Sequence, residues 1–427
     1  MATTVDKLNG NLYEKYADKI VKLIPTNSIL QEDFDFVKDK QTSGGAYHQP
    51  VILQHENGFT YAGPDEDAFP LNGSIAMTMK DAALLGSQIV LYSALGQNAV
   101  DRSLAPGAAF RSAQWLLMDD MMESISKRVE ISLLYGETNI GTAITGANVN
   151  ATTTTITLSD PSYAAGIWSG GVGTQISLFD SVTGAIANAT GPLTVTAVNS
   201  QTRTLTVTGL AADITAVDAL LAVGAPDAVI NFYGARLTGN VYKEAAGLDK
   251  IITNTGVLFG IDAAVYDLWK GNVYNVGGNL TQAALDLGLA AAVDKGLQED
   301  VNVYVSPTTW TFLNKELAAL RMFDSSYKST EGENGYNRIT YKSQAGTQTI
   351  IAHPFVKRGE AFAVPPSHAI RVGAKEAGFT NLDRDAKTPV FTQKDQNFSY
   401  YTNVSSNQAL LIDSPAKTVK FTGITNV

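Results

Sequence analysis

The stretch EAAGLDKIITNTGVLFGIDAAVYDLWKGN, residues 244–272, decides the fold class expected of this chain. It combines glycines and aliphatic side chains with two aromatic residues, Tyr266 and Trp269. It contains no nucleophile–base pair, metal-ligand cluster or phosphate loop. A helix over residues 261–269 would place both aromatic rings on one face, so we expect them to anchor the core of an α/β domain. This composition is typical of a surface that packs against copies of itself.

Short phrases within this stretch and beyond it follow one another in a fixed order. They are Gly247-Leu248, Gly260-Ile261-Asp262, Tyr266, Trp269, Val305-Ser306-Pro307 and His353-Pro354-Phe355-Val356. In order and spacing they resemble the axial domain of tailed-phage major capsid proteins, which share the Hong Kong 97 type fold. The resemblance implies an α+β chain with an N-terminal arm, an extended β-hairpin loop, a long spine helix and an axial α/β domain.

Composition and charge narrow the classes of function. The 427 residues suggest two to four domains, and the net charge of −10 argues against a chain that mainly binds nucleic acid, which would carry a basic patch. Charged residues make up only 17%. That low share slightly favours large subunit interfaces over an ordinary Ala/Thr/Gly-rich β protein.

The chain has no cysteine, which excludes disulfides and thiolate metal sites. Its first residues are too charged for a secretion signal, and it has no apolar run of about 18 residues. We therefore expect no membrane contact.

Two segments near the N-terminus suggest contacts between subunits. Residues 6–24 have apolar side chains at helical spacing before Pro25, which fits a helix on its own domain or an arm that reaches a neighbour. Residues 47–55 and 74–92 predict two strands around the polar tip ENGFTYAGPDEDAFPLNG. An isolated hairpin is only marginally stable in water, so it must lie on its own domain or on the next subunit.

A long helix and a threonine-rich β region follow. Residues 106–137 predict a helix that begins with Pro106, and the resemblance implies the spine helix there; a general helical domain is the alternative. Its apolar residues at helical spacing are Phe110, Leu117, Met121, Ile125, Val129 and Leu133. Residues 146–222 contain the alternating runs ATTTTITL, GTQISLF, GPLTVTAV and RTLTVTGL, which predict at least four strands in a small barrel or sandwich.

The remainder predicts an α/β domain and returning strands. The expected helices cover residues 261–269, 281–296 and 307–321, and the expected strands cover 301–305, 348–352, 361–364, 398–403, 409–412 and 419–421. The resulting domain assignment is an N-terminal arm (1–45), an extended hairpin loop (46–98), a peripheral domain with the spine helix (99–145), a β-rich insertion or elaborated peripheral domain (146–227), the axial α/β domain (228–375) and return strands of the peripheral domain (376–427).

The sequence contains no pattern typical of a catalytic or metal-binding site. The four histidines are His48, His55, His353 and His368. None forms an HxH or HExxH pattern or has an acid at ligand spacing in the sequence. The acidic runs Asp119-Asp120 and Asp65-Glu66-Asp67 lack the spacing of a glycosidase pair or a calcium loop. There is also no G-x-S-x-G elbow and no phosphate loop. We expect no catalytic, cofactor-binding or metal residue, no cofactor and no enzymatic activity.

The resemblance implies a function that the residues alone do not. Such a chain is a major capsid protein that assembles as pentamers and hexamers into an icosahedral shell around double-stranded DNA. The shell is the virion capsid, assembled in the host cytoplasm, with portal, scaffold and decoration proteins as partners and with DNA held without sequence-specific contacts. Some relatives carry Lys–Asn crosslinks, but no motif around Lys80 assigns one here.

Two other readings stay open. One is a β-rich surface or carbohydrate-binding protein, in which aromatic residues of the β-rich region stack on sugars or, alternatively, plug a small core. These residues are Tyr163, Trp168 and Phe179. The other is the shell protein of a cellular nanocompartment with the same fold.

Overall fold

The computed structural model describes residues 28–38, 46–66, 68–96, 98, 113–222, 227–321, 338–379, 391–393 and 399–426. The predicted helix over 6–24 and the predicted helix start at Pro106 lie outside these residues.

Strands dominate the described part of the chain. In chain order they are β1 (Phe36–Lys38), β2 (Tyr47–Gln54), β3 (Thr78–Leu84), β4 (Ser87–Gly96), β5 (Gly141–Asn150), β6 (Thr153–Leu158), β7 (Gln175–Asp180), β8 (Leu193–Asn199), β9 (Thr204–Thr208), β10 (Ala228–Phe232), β11 (Arg236–Leu237), β12 (Val241–Tyr242), β13 (Val257–Leu258), β14 (Ile261–Asp262), β15 (Asn272–Gly278), β16 (Val301–Val305), β17 (Arg338–Lys342), β18 (Thr347–Ala352), β19 (Ala361–Val364), β20 (Ala369–Phe379), β21 (Thr392–Gln393), β22 (Ser399–Ile412) and β23 (Val419–Ile424). The helices are α1 (Ile29–Asp33), α2 (Ala113–Tyr135), α3 (Ala165–Trp168), α4 (Ala211–Leu220), α5 (Leu248–Thr253), α6 (Gln282–Asp294) and α7 (Pro307–Arg321), with 3-10 turns at Asp267–Trp269, Pro366–His368 and Pro415–Lys417.

The long helix packs on a five-stranded sheet, which we call the peripheral sheet. Its strands run in the order β1-β20-β22-β21, and β4 also pairs with β22. Helix α2 contains 23 residues, which gives a length of about 35 Å, and it contacts β4, β20 and β22. The predicted apolar positions Met121, Ile125, Val129 and Leu133 are all buried, so this part of the helix prediction is confirmed.

The strand predicted over residues 74–92 is in fact two strands in two different sheets. β3 pairs with β2, whereas β4 pairs with β22 of the peripheral sheet. The change of partner occurs at Gly86, where the backbone passes so close to Asn407 that a Cβ atom would collide with its side chain. The prediction of a single returning arm was wrong because both halves alternate in the same way and only the tertiary partner differs.

The threonine-rich region forms a closed barrel with the strand order β10-β5-β6-β9-β8-β7. The predicted strands are confirmed, and Tyr163, Trp168 and Phe179 lie fully buried rather than exposed for stacking on a sugar. One element, helix α4, was not predicted. It follows β9 and packs against β5 and β6, with Ile214 and Val217 buried.

A six-stranded sheet forms the α/β part, with the order β15-β23-β19-β16-β18-β17. The predicted helices over 281–296 and 307–321 and the three predicted strands are present as α6, α7, β16, β18 and β19. The last strand, β23, was assigned to the returning strands of the peripheral domain, but it pairs with β15 and β19 in this sheet. Three residues of β23 are buried in the hydrophobic core of the α/β sheet, namely Val419, Phe421 and Ile424. Their burial explains why β23 joins this sheet.

Candidate assembly surfaces and their anchors

A projecting hairpin is the first candidate surface. Strands β2 and β3 form their own two-stranded sheet. Among the described residues between them, 55–66 and 68–77, backbone hydrogen bonds are few, and one of them runs from Asn57 N to Ile75 O at 3.1 Å. Six large apolar side chains of this tip are exposed: Phe59, Tyr61, Phe69, Leu71, Ile75 and Met77. Tyr61 is 91% exposed. Such a concentration of exposed large apolar side chains makes the tip a candidate interaction site.

The base of the same hairpin is firmly anchored. Ala83 N donates to Phe259 O at 3.0 Å, and Ala82 packs fully buried against Trp269. The Lys80 ammonium lies 5.1 Å from the centre of the Tyr266 ring, which is a cation–π contact between the hairpin and the segment after β14. The base of the hairpin is thus fixed, whereas the apolar side chains of its tip are exposed.

The predicted helix over residues 261–269 was wrong. Strands β13 and β14 form a tight hairpin there, because Phe259 and Gly260 both have positive φ (53° and 84°), as a two-residue hairpin turn requires. Trp269 is buried as expected, and its Nε1 donates to Leu258 O at 3.1 Å. It packs beneath the projecting hairpin rather than in the core of the α/β sheet.

A cleft of about 690 Å³ between α2, β4 and the barrel is the second candidate surface. The Arg128 guanidinium carbon lies 3.2 Å from the centre of the Phe232 ring at its wall, and burial lowers the pKa of Arg128 to about 10. Burial, together with the adjacent Arg128, lowers the pKa of Lys127 to about 8. Burial raises the pKa of Glu244, which also lines the cleft. Charges are therefore held here in poorly hydrated positions.

A buried carboxylate joins three parts of the chain. Glu130 of α2 is fully buried and accepts hydrogen bonds from Leu30 N at 2.6 Å and from Gln31 N at 3.2 Å, so it caps the first turn of α1. His353 Nε2 lies 3.0 Å from the same carboxylate, while Phe355 N donates to His353 Nδ1 at 3.2 Å. Since Nδ1 accepts, Nε2 carries the proton and donates to Glu130.

We call the contacts of Glu130 with Leu30, Gln31 and His353 the clamp. The sequence did not predict it, because Glu130 and His353 stand 223 positions apart. The one local signal is Pro354, because the residue before a proline favours an extended backbone. Arg371 of β20 adds to the attachment, since its NH2 group donates to Gln31 O at 2.7 Å and its Nε to Phe34 O at 2.9 Å. The N-terminal segment 28–38 is thus held by α2, β20 and the turn after β18.

A second buried polar cluster joins α5 to the α/β sheet. Lys420 of β23 donates to Asp249 at 2.5 Å and to Glu360 at 2.9 Å. Burial alone would lower the pKa of Lys420, but the two carboxylates outweigh it, so the pKa is raised. Lys357, also buried, donates to Asn139 Oδ1 at 3.2 Å, and its pKa is lowered by burial. Lys420 of β23 thereby links α5 to the residue that precedes β19.

Several of the other residues singled out from the sequence lie on the projecting hairpin. His48 pairs with Asp81 on the hairpin, and His55 lies exposed just after β2. Asp65 and Glu66 are exposed at the tip, and Asp67 lies outside the described residues. Across the described ranges, histidine and acidic side chains nowhere form a group of three or more suited to a metal ion. None of the described helices is long and apolar enough to cross a membrane.

Comparisons with known proteins point to one fold. No protein-family model and no curated protein sequence matches this chain. The capsid asymmetric unit of cyanophage A-1(L) matches with a TM-score of 0.59 and 11% identity, covering 99% of this chain and 100% of that one. The capsid of the native GTA particle matches with a TM-score of 0.51 and 7% identity over 100% of both chains, and that of the empty particle with 0.50 and 6% over 99% and 98%.

Over essentially its whole length, this chain therefore has the fold of a phage capsid protein.

Proposed function

We propose that this chain is a major capsid protein of the Hong Kong 97 type, which assembles as pentamers and hexamers into an icosahedral shell around double-stranded DNA. The observation that carries the proposal is the likeness to the cyanophage A-1(L) capsid chain, which extends over 99% of this chain. In this assignment the 46–98 segment is the extended loop, α2 is the spine helix, the barrel is an insertion and the six-stranded sheet is the axial domain.

The exposed hairpin tip supports self-assembly. Its apolar side chains have no core to join among the described residues, and its anchored base holds them away from the subunit. A stable contact between proteins buries about 1,600 Å² in total, and an extended segment lying on a neighbour can supply such an area. Closed symmetry repeats each contact around the shell, so several modest interfaces per subunit are sufficient.

The role is structural, and we assign no catalytic step. The proposed partners are copies of this chain, portal, scaffold and decoration proteins, and packaged DNA held without sequence-specific contacts. A net charge of −10 fits a wall along which DNA can move without adhering. The virion capsid, assembled in the host cytoplasm, is the proposed location.

Electron microscopy of particles formed by the hairpin variants tests the proposal. The paired substitution Tyr61→Ser and Leu71→Ser should leave the subunit folded and abolish closed shells, because it removes two of the most exposed apolar side chains of the tip. A matched control is Val149→Ser with Val182→Ser, which changes two exposed apolar residues of the barrel region and should leave shell yield unchanged.

Deletion of residues 58–73 together with the N-terminal arm is the stronger version of the test. Full shells at normal yield from that deletion would rule out the overlap of hairpin and arm between subunits. A full-length chain that forms shells filled with protein cargo rather than DNA would instead identify a cellular nanocompartment.

A further inference from the structure

The chain crosses twice between the peripheral sheet and the six-stranded sheet at one place. The first crossing leads from β19 to β20 through the 3-10 turn Pro366–His368. The second leads from β22 to β23 through the turn Pro415–Lys417. Side chains from both crossings meet a carboxylate from the loop before β16. They are His368 on the first crossing, Asp413 and Lys417 on the second, and Glu299 on the loop.

The contacts of this cluster are short and specific. His368 Nδ1 lies 2.6 Å from Asp413 Oδ1, and His368 Nε2 lies 2.9 Å from Glu299 Oε1. The Lys417 ammonium lies 2.9 Å from the same Glu299 oxygen and 2.7 Å from His368 Nε2. Ser367 Oγ donates to the other oxygen of Glu299. The His368 side chain is 19% exposed, so protons from solvent can reach it.

The two contacts of His368 Nε2 call for different protonation states, because an unprotonated Nε2 can accept from the Lys417 ammonium but cannot donate to Glu299 Oε1. An ammonium group has donors only, so the 2.7 Å contact requires His368 Nε2 to accept a hydrogen bond from Lys417. The ring proton then lies on Nδ1 and is donated to Asp413. A second proton on Nε2 would let it donate to Glu299 Oε1, but it would set imidazolium against ammonium at 2.7 Å, so the hydrogen bond from Lys417 to Nε2 would be lost. The cluster therefore has two mutually exclusive arrangements.

We propose that His368 is a proton-operated switch in which protonation of Nε2 transfers Glu299 Oε1 to the imidazolium, displaces Lys417 and loosens the second crossing between the two sheets. Histidine ordinarily changes its charge between about pH 5 and 8. Glu299 remains ionised throughout that range, since Lys417, Ser367 and His368 lower its pKa to about 2. The inference goes beyond the proposed function, because the exchange of partners needs no assembled shell. In a shell subunit it would govern the joint between the two sheets.

Hydrogen exchange with mass spectrometry on the full-length chain tests the switch. Peptides over residues 413–418 are compared at pH 8 and pH 5, after correction for the intrinsic pH dependence of exchange. The wild type should open this segment roughly tenfold or more faster at pH 5, the effect of losing one hydrogen bond to a charged group. His368→Gln, which takes up no proton, should show no such acid response.

Two further variants make the result decisive. Lys417→Met removes the competing ammonium, so acid should no longer loosen the segment and should tighten it as the imidazolium bonds both carboxylates. His48→Gln removes another histidine–carboxylate pair and should leave the acid response at 413–418 intact. Equal opening of the wild type at both pH values would overturn the proposal. An undiminished acid response in His368→Gln or in Lys417→Met would overturn it as well.

Discussion

Replacing the buried carboxylate at position 130 by its isosteric amide should release the N-terminal segment. Glu130 Oε2 accepts from Gln31 N at 3.2 Å and Gln31 Nε2 at 3.0 Å, and Oε1 accepts from Leu30 N at 2.6 Å and His353 Nε2 at 3.0 Å. In Glu130→Gln one carboxylate oxygen becomes an NH₂ group, which faces two donors and can accept from neither.

The expected cost follows from this count of bonds. A hydrogen bond to a charged group contributes about 1.5–3 kcal/mol, so the loss of two predicts about 3–6 kcal/mol. A subunit is stable by only about 5–15 kcal/mol, so a change of this size is readily measured by denaturant titration.

The assay combines guanidinium titration with limited proteolysis of residues 28–38, because a chain of several domains need not unfold in one step. Glu130→Gln should be cut in this segment under conditions in which the wild type resists. Asp120→Asn makes the same chemical change at an exposed position of the same helix and should have an effect within about 0.5 kcal/mol. If Glu130→Gln matched this control in both stability and proteolysis, the clamp would have no energetic role.

Three other substitutions test separate contacts. Trp269→Ala should cost roughly 3–5 kcal/mol in thermal or denaturant unfolding and free the hairpin base, because the ring is buried; an unchanged melt would contradict that packing. Gly247→Ala should cost about 1–3 kcal/mol, since the new Cβ would lie 2.6 Å from Gly136 N, whereas Gly256→Ala meets nothing within 4 Å and serves as the control. Lys127→Met should alter the pH dependence of stability: burial lowers the pKa of Lys127 from 10.5 to about 8, so the unfolded chain binds the additional proton between these values and wild-type stability rises with pH across them. That contribution should vanish in Lys127→Met, and identical urea titrations of both proteins from pH 8 to 10.5 would refute it.

Periodicity predicted the elements that bury a single face. The apolar spacing of α2 and the alternation in the barrel strands both reflect a single buried face, and such a face is visible in any short window of sequence. The helices and strands around β16 were predictable for the same reason.

The failures occurred where a distant partner decides the structure. Nothing in the sequence near Gly86 distinguishes a strand that continues from one that changes sheets, and β23 joins the α/β sheet because its partners are β15 and β19. The turn at Phe259 requires a positive φ, which phenylalanine rarely adopts, so helical spacing was the better local guess and was wrong.

The polar contacts were the least predictable part of the chain. The sequence offered four histidines without an acid at ligand spacing, yet His48, His353 and His368 each contact a carboxylate in the folded chain. The acids that pair with His353 and His368 lie 45 to 223 positions away, which a motif search cannot span.

Whether the full-length chain assembles with itself is the most direct test of the account. Electron microscopy after purification, with gel filtration over a range of concentrations, should reveal closed shells or pentamers and hexamers. A monodisperse, soluble monomer at every concentration would contradict it.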